Sequence, residues 1–126
     1  MTTPIPLHPA TTPSGATPAR VVFLVTVPPE ASEAFLAAYE RIRLEVADGV
    51  DGHIVDQVCR SDDDPAQWLI TSEWESLAHF RAWERSEGHR TLVAPMRACM
   101  TAAVSLKFDV IAETRGDPAR KVVGWS

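Results

Sequence analysis

The chain has 126 residues, of which 45% are hydrophobic and 23% are charged, and its formal net charge at pH 7 is −5. This length suits one domain and is too short for two. The acidic balance argues against a nucleic-acid partner, because neutralising phosphates requires a basic surface. No apolar run approaches the roughly 20 residues that span a bilayer, and the N-terminus lacks a signal-peptide pattern. We therefore expect a cytoplasmic protein with no membrane partner.

Both ends of the chain have the composition of tails. Residues 1–19 contain five of the ten prolines among Thr, Ala, Ser and Gly. Such a segment cannot bury a core, which predicts a disordered tail. Residues 113–126 are mostly polar and form a predicted C-terminal tail. One folded domain is therefore placed at residues 20–112.

A strand and a helix are predicted first. Residues 21–27 form a largely β-branched run that ends at two prolines, which is typical of a strand with two apolar faces. Gly49 predicts the end of the following helix, and Gly52 predicts a turn after it. Apolar side chains recur along that helix at helical spacing, namely at Phe35, Tyr39, Ile42 and Val46.

A strand pair, two helices and a last strand follow. His53–Arg60 alternates as a second strand, and residues 68–74 alternate as a third strand after a polar loop. Ser76 is a good N-cap for a short helix, and Ser86 is one for a longer helix. Residues 104–110 alternate apolar and polar side chains and form the predicted fourth strand.

The order of these elements is βαββαβ. This is the order of the ferredoxin-like fold, an α+β architecture in which helices cover one face of a four-stranded antiparallel sheet. The uncovered face would carry large apolar side chains from nearly every strand. Exposed patches of that size are normally interfaces, and a twofold pair is the commonest way to bury them. We therefore expect a homodimer whose sheets pack face to face as a dimeric α+β barrel.

His89 is the most informative titratable residue. It shares a helical stripe with Val93, Met96 and Met100, and a polar imidazole is unusual on such an apolar stripe. It also lies near a helix N-terminus, which favours the neutral imidazole. A neutral imidazole suits a catalytic base that removes a phenolic proton. The alternative is a histidine that is hydrogen-bonded to a neighbouring carbonyl or that closes the dimer.

Two further histidines are candidates for a cleft between the sheet and the helices, into which His89 is also expected to point. His79 lies at the edge of the inward helix face and is a second candidate base. His53 starts the second strand, where it would face either substrate or solvent. Arg90 and Arg97, by contrast, are predicted to project into solvent from the other side of the late helix.

An aromatic wall is predicted beside these histidines. Trp74 ends the third strand and Trp83 lies on the helix after it, and the same cavity would include Phe80 and Met96. Such a wall suits a flat polycyclic substrate, since stacking adds about 0.5–1.5 kcal/mol beyond area burial. The alternative for both tryptophans is a place in the core.

The stretch from Trp74 to His89 resembles the signature of antibiotic biosynthesis monooxygenase domains. A tryptophan and a polar turn lead into an amphipathic helix with the inward aromatic Phe80, and a serine (Ser86) and the histidine close the motif. The resemblance covers about residues 20–112. It implies oxygen insertion into aromatic polyketides or quinols, with dioxygen as co-substrate and without a metal or a tightly bound cofactor. In some relatives a partner flavin reductase supplies a reduced flavin, FADH2 or FMNH2.

The sequence departs from the better-understood members of this family. Anthrone-oxidising members use an asparagine, a tryptophan and a tyrosine, and these positions correspond here to Ile70, Trp74 and Phe80. Haem-degrading members need an asparagine and a histidine, where this sequence has Val22 and Val93, although their helix tryptophan matches Trp83. Neither constellation is complete, so neither mechanism transfers intact.

The leading hypothesis is therefore an oxygenase for an aromatic polyketide or quinol in antibiotic biosynthesis. The alternative is a non-oxidative polyketide cyclase, or a ligand-binding module of the same fold. No metal is expected, because the run Asp62, Asp63 and Asp64 matches no calcium loop. Cys59 and Cys99 likewise lack zinc-ligand spacing and are interpreted as small buried thiols.

Overall fold

Four strands of eight residues each form an antiparallel sheet: β1 (Ala19–Thr26), β2 (His53–Arg60), β3 (Gln67–Trp74) and β4 (Ala102–Asp109). A computed structural model describes residues 16–117 and 119 of the chain. Most of the predicted N-terminal tail and the end of the predicted C-terminal tail lie outside the described residues. Ala19, which the sequence assigned to the tail, is the first residue of β1 because it is buried and pairs with Trp74 and Asp109.

The helices lie on one face of the sheet, whose strand order is β2-β3-β1-β4. A 3-10 turn (Pro29–Ala31) precedes α1 (Ser32–Gly49), and the second crossover contains α2 (Leu77–Glu84) and α3 (Glu87–Arg97). This confirms the predicted ferredoxin-like βαββαβ order. None of the helices within residues 16–117 and 119 has the length and apolarity needed to cross a membrane.

Strand alternation separates the two faces of the sheet. In β1, Val21 and Val25 are fully buried against the helices, while Leu24 points to the uncovered face. In β3, Trp68, Ile70 and Trp74 are buried on the helix side, in register with β1. The side of α1 that faces the sheet completes this core. Its buried residues are the stripe predicted from the sequence together with Ala38, namely Phe35, Ala38, Tyr39, Ile42 and Val46.

Two serine caps fix where the second crossover changes direction. The Ser76 hydroxyl oxygen accepts the backbone N–H of His79 at 3.2 Å, and that of Ser86 accepts the backbone N–H of His89 at 3.1 Å. Each cap satisfies an N–H that the first helical turn leaves without a partner. The predicted helix starts are therefore confirmed, and the second cap fixes the backbone of His89.

The uncovered face of the sheet is apolar over much of its area. Arg20 and Glu73 form an ion pair there, and Arg20 also contacts the hydroxyl of Thr71. Around this pair the sheet exposes large apolar side chains from three of the four strands: Leu24, Ile54, Val55, Val104, Leu106 and Phe108. This is the face that the sequence predicted to be left bare by the helices.

Candidate functional site

A cavity of about 460 Å³ lies between the helices and the sheet. Its volume falls within the range of about 300–1,000 Å³ typical of small-molecule sites. The lining is mostly apolar, with a few polar groups: Phe23, Tyr39, Ile42, Asp56, Ile70, Ser72, Phe80, Trp83, His89, Val93, Met96, Arg97, Met100, Thr101, Ala102, Ala103 and Ser105. Residues from α1, α2, α3 and all four strands therefore meet around one space.

Two aromatic residues of the lining come from α2 and are backed by β3. Phe80 and Trp83 line the cavity, as does Met96 from α3. Trp74 does not line it, because it is only 1% exposed and lies behind Trp83, with the two indole rings stacked at 5.7 Å and 29°. Of the two predicted wall tryptophans, Trp83 contacts the cavity and Trp74 belongs to the core.

His89 lines the cavity and is only 6% exposed. Its ring packs edge-on against the indole of Trp83, with the ring centroids 4.4 Å apart. The pKa of His89 is lowered from its ordinary value, first by burial and then by the positive charge of Arg97. The carboxylate and the backbone carbonyl of Glu84 act in the opposite direction. The imidazole is therefore neutral at pH 7, and desolvation contributes most to that state.

The cavity also includes Arg97, which the sequence placed among solvated residues. Arg97 is exposed, yet it lines the cavity from the last turn of α3 and acts electrostatically on His89. Within residues 16–117 and 119, no ion pair joins its guanidinium to a carboxylate. The positive charge is thus available to a ligand at this side of the cavity.

Tyr39 and Asp56 form a polar pair that the sequence did not single out. The Tyr39 hydroxyl donates a hydrogen bond of 2.6 Å to Oδ2 of Asp56, and both residues line the cavity. Burial and the adjacent carboxylate raise the pKa of Tyr39 well above its ordinary value. The available signals were a lone tyrosine in the apolar stripe of α1 and a carboxylate on the inward side of β2.

His53 contacts this pair rather than the cavity. Its Nε2 lies 3.7 Å from Oδ1 of Asp56, and its ring packs edge-on against Trp74 at 5.2 Å. The Nε2 atom is buried without a hydrogen-bond partner. Burial raises the pKa of Asp56, while Tyr39 and His53 act against that rise. His53 is therefore behind Asp56, not at the surface that a substrate would touch.

His79 is held in a structural network away from the cavity lining. Its Nδ1 lies 2.6 Å from the Ser76 hydroxyl, and its Nε2 lies 3.7 Å from Asp51 and 3.9 Å from Glu75. Its ring also packs against Gly52. The structure thus brings His89, Trp83, Phe80 and Met96 together, and it places the other sequence candidates elsewhere.

Residues 16–117 and 119 contain no group of three or more His, Cys, Asp or Glu side chains placed to hold a metal ion. Within that part of the chain, the polar groups of the cavity are the neutral imidazole, the phenol–carboxylate pair, hydroxyls and one guanidinium. These groups can exchange protons, donate and accept hydrogen bonds, and bind a negative charge.

The fold and this cavity define a small α+β domain with a half-open, largely apolar cavity between its helices and its sheet. The chain belongs to the antibiotic biosynthesis monooxygenase family, whose profile matches residues 18–95. This confirms the resemblance seen in the sequence.

Curated relatives come from Streptomyces. The chain is 47% identical over 97 residues to a 42.8 kDa protein in the whiE locus of Streptomyces coelicolor, a match that covers 77% of this chain and 24% of the relative. It is 42% identical over 100 residues to protein SchA of Streptomyces halstedii, covering 79% and 26% respectively. It is 39% identical over 97 residues to polyketide synthase CurD of Streptomyces cyaneus, covering 77% and 26%. The chain thus spans about a quarter of the length of these relatives.

Solved structures share the fold at low sequence identity. A candidate antibiotic biosynthesis monooxygenase from Caulobacter crescentus has a TM-score of 0.70 and 18% identity, covering 76% of this chain and 92% of that one. SnoaB, a cofactor-independent oxygenase from Streptomyces nogalater, has a TM-score of 0.64 and 18% identity, covering 82% and 98%. At this identity the similarity establishes the fold alone.

Proposed function

We propose that this domain is an oxygenase that acts on an aromatic polyketide or a quinol in antibiotic biosynthesis. The observation that carries the proposal is the buried neutral imidazole of His89, packed edge-on against Trp83 at the wall of the cavity. Family membership supports the reaction class. The similarity to polyketide synthase CurD supports the substrate class, and the similarity to the oxygenase SnoaB supports the use of dioxygen.

The chemistry follows from the groups in the cavity. Trp83 and Phe80 provide aromatic surface against which a flat ring system packs. His89 accepts a phenolic or enolic proton, and the resulting anion is electron-rich enough to pass an electron to dioxygen. For a ring carbon that carries two hydrogens, one oxygen atom becomes the new carbonyl oxygen. The other oxygen atom leaves as water with the two hydrogens, so that one dioxygen is consumed per product.

This proposal takes the electrons from the substrate itself. In the flavin alternative a reduced flavin would supply them, and it would share the cavity of about 460 Å³ with the substrate. The need for added flavin in a dioxygen-uptake assay distinguishes the two forms.

The test is dioxygen uptake by the purified protein with an anthrone or a hydroquinone. We expect uptake equal to product formed without added flavin, and one labelled oxygen atom in the product when isotopically labelled dioxygen is used. No product should form under argon. An absolute requirement for reduced flavin would contradict the flavin-free form while keeping the oxygenase.

A non-oxidative cyclase is the second candidate, because ring closure is a further reaction of polyketide chains and the relative CurD is named a polyketide synthase. In that reaction His89 would take a proton from a carbon between two carbonyls, and the enolate would attack a carbonyl carbon within the same chain. A carbon–carbon bond forms, and water leaves on aromatisation. Equal product yield in air and under argon, from a linear polyketide analogue, would identify the cyclase and exclude the oxygenase.

The functional unit is proposed to be a homodimer formed through the uncovered sheet face. The support is the apolar character of that face, where Leu24, Leu106 and Phe108 are exposed. Burying this surface against a second copy would remove its contact with water without altering the helix side, where the cavity lies.

A further inference from the structure

The cavity has a second polar site on the β2 side of the sheet, separate from His89. Tyr39 reaches it from α1 and Asp56 reaches it from β2, and the phenol donates to Oδ2 of the carboxylate at 2.6 Å. Both side chains line the cavity. This pair plays no part in the proton removal proposed for His89.

The Asp56 carboxylate has more acceptor capacity than its protein partners use. An ionised carboxylate has about four lone-pair sites, and Tyr39 fills one of them. The Nε2 atom of His53 is 3.7 Å from Oδ1, which is beyond hydrogen-bond distance. The Asp56 side chain is only 18% exposed, so bulk water has limited access to the remaining sites. A donor on a ligand in the cavity would satisfy them.

Ser72 supplies a donor beside this acceptor. It pairs with Asp56 across β2 and β3, and it also lines the cavity. Its hydroxyl oxygen already accepts the indole N–H of Trp74 at 2.9 Å, so its own proton is directed elsewhere. An acceptor and a donor on adjacent strands match a group that both donates and accepts one hydrogen bond. A phenolic or enolic hydroxyl is such a group.

We propose that Asp56, positioned by Tyr39 and assisted by Ser72, binds a free phenolic or enolic hydroxyl of the substrate at a point distinct from the group on which His89 acts. The ligand class is then an aromatic molecule that carries a free hydroxyl group, which this site binds. The inference rests on the proposed function, because it takes the cavity as the substrate site. Asp56 is a binding residue here, and Tyr39 is a positioning residue.

The test compares 2-naphthol with its methyl ether by isothermal titration calorimetry. The two probes share the ring system and differ in the hydroxyl proton. A hydrogen bond to a charged acceptor corresponds to a preference for the naphthol of about 10- to 100-fold. In Asp56→Asn this preference should fall about tenfold, while affinity for the ether stays within about twofold. In Tyr39→Phe the carboxylate remains, so the naphthol should still be preferred.

Glu40→Gln is the matched control, because it removes a carboxylate next to Tyr39 on the exposed side of α1. Both affinities should match the unmodified protein. An unmodified protein that binds both probes equally, or an Asp56→Asn protein with unchanged preference, overturns the inference and leaves the cavity as a binding site. If neither probe binds the unmodified protein, the proposed function itself fails, and this inference fails with it.

A spectroscopic measurement tests the contact independently of any ligand. Tyr39 is the single tyrosine of the chain, so phenolate absorbance reports on it alone. Burial and the Asp56 carboxylate raise the pKa of Tyr39, so its titration should begin above the ordinary value of about 10. In Asp56→Asn the titration should shift to lower pH. An ordinary titration in the folded unmodified protein would show that the contact does not form in solution, and the inference would be withdrawn.

Discussion

His89 is held by neighbours that act on different parts of the residue. Ser86 accepts its backbone N–H, the indole of Trp83 packs against its ring, and the backbone carbonyl of Glu84 interacts with the imidazole. Only one ring nitrogen can face that carbonyl, so the other is available to accept a proton from a ligand. The residue is therefore oriented before any substrate arrives.

The pH dependence of the reaction should report on this imidazole. The pKa of His89 is lowered, so the basic form persists below the ordinary value of about 6.5 and is lost only as the pH falls further. The acid limb of kcat/KM should therefore have its midpoint below 6.5. His89→Ala should lower turnover by about 10²–10⁴-fold, the usual contribution of a positioned acid–base group.

Arg97 provides a test of what lowers the pKa of His89. Its positive charge lowers the pKa of His89, so Arg97→Gln should move the acid limb to higher pH. Arg90→Gln, on the same helix but outside the cavity lining, should leave the limb in place. Turnover in His89→Ala equal to that of the unmodified protein would remove the base from the mechanism.

Residues on one helix were predictable from sequence, and residues that meet across elements were not. Helical spacing placed His89 and Met96 on one face, and in the structure both line the cavity. The Tyr39–Asp56 contact joins residues 17 positions apart through the packing of α1 on β2. Neither local pattern contains that information, because each residue alone resembles a core tyrosine or a surface carboxylate.

Among the elements, the turn before β2 carries a specific backbone requirement. Gly52 has a φ of +85°, and its carbonyl accepts the backbone N–H of Glu75 at 2.7 Å. A Cβ at this position would come within 2.4–2.5 Å of the His79 side chain. The turn and the start of α2 are therefore packed together in a way that only glycine permits.

Replacing Gly52 by Ala should lower the free energy of unfolding by about 1–3 kcal/mol, because both the φ angle and the contact with His79 become strained. Chemical denaturation would measure this change in the free energy of unfolding. Gly49→Ala is the control, since no atom lies within 4 Å of an added Cβ there. Its stability should be unchanged or raised by up to about 1 kcal/mol. Equal effects at the two glycines would contradict this account.

The positions of the elements followed from local signals, but their conformational details did not. A β-branched run predicted β1, alternation predicted the other three strands, and serine caps predicted both helix starts of the second crossover. The sequence also placed the end of α1 at Gly49, where the helix does end. Within residues 16–117 and 119, however, the positive φ occurs at Gly52 and not at Gly49, since the helix ends into extended backbone at Val50. The difference depends on how the chain must turn to reach β2.

On the scale of the whole molecule, the two faces of the sheet have different roles. The helix side encloses the cavity, and the uncovered side exposes Val104, Leu106 and Phe108 from β4, the strand at one edge. The element order alone predicted this division, because helices in a βαββαβ chain cover one face. The occupant of the other face is not determined by the fold of one chain.

The uncovered face should make the protein a dimer at micromolar concentration. Leu106→Glu places a charge at its apolar surface and should yield a monomer in light scattering. Leu44→Glu is the control, because Leu44 is also an exposed leucine but lies on α1, on the opposite side of the sheet. It should remain dimeric. A stable monomer for the unmodified protein would rule out this interface.

The stacked pair of Trp74 and Trp83 gives the cavity a wall of two aromatic layers. Here the loss of the Trp83 side chain would uncover another indole as the new floor. A single codon change could thus deepen the pocket by one layer and still leave a flat surface for a larger ring system. The layered wall would therefore let one substitution change the size of ring system that the cavity can hold.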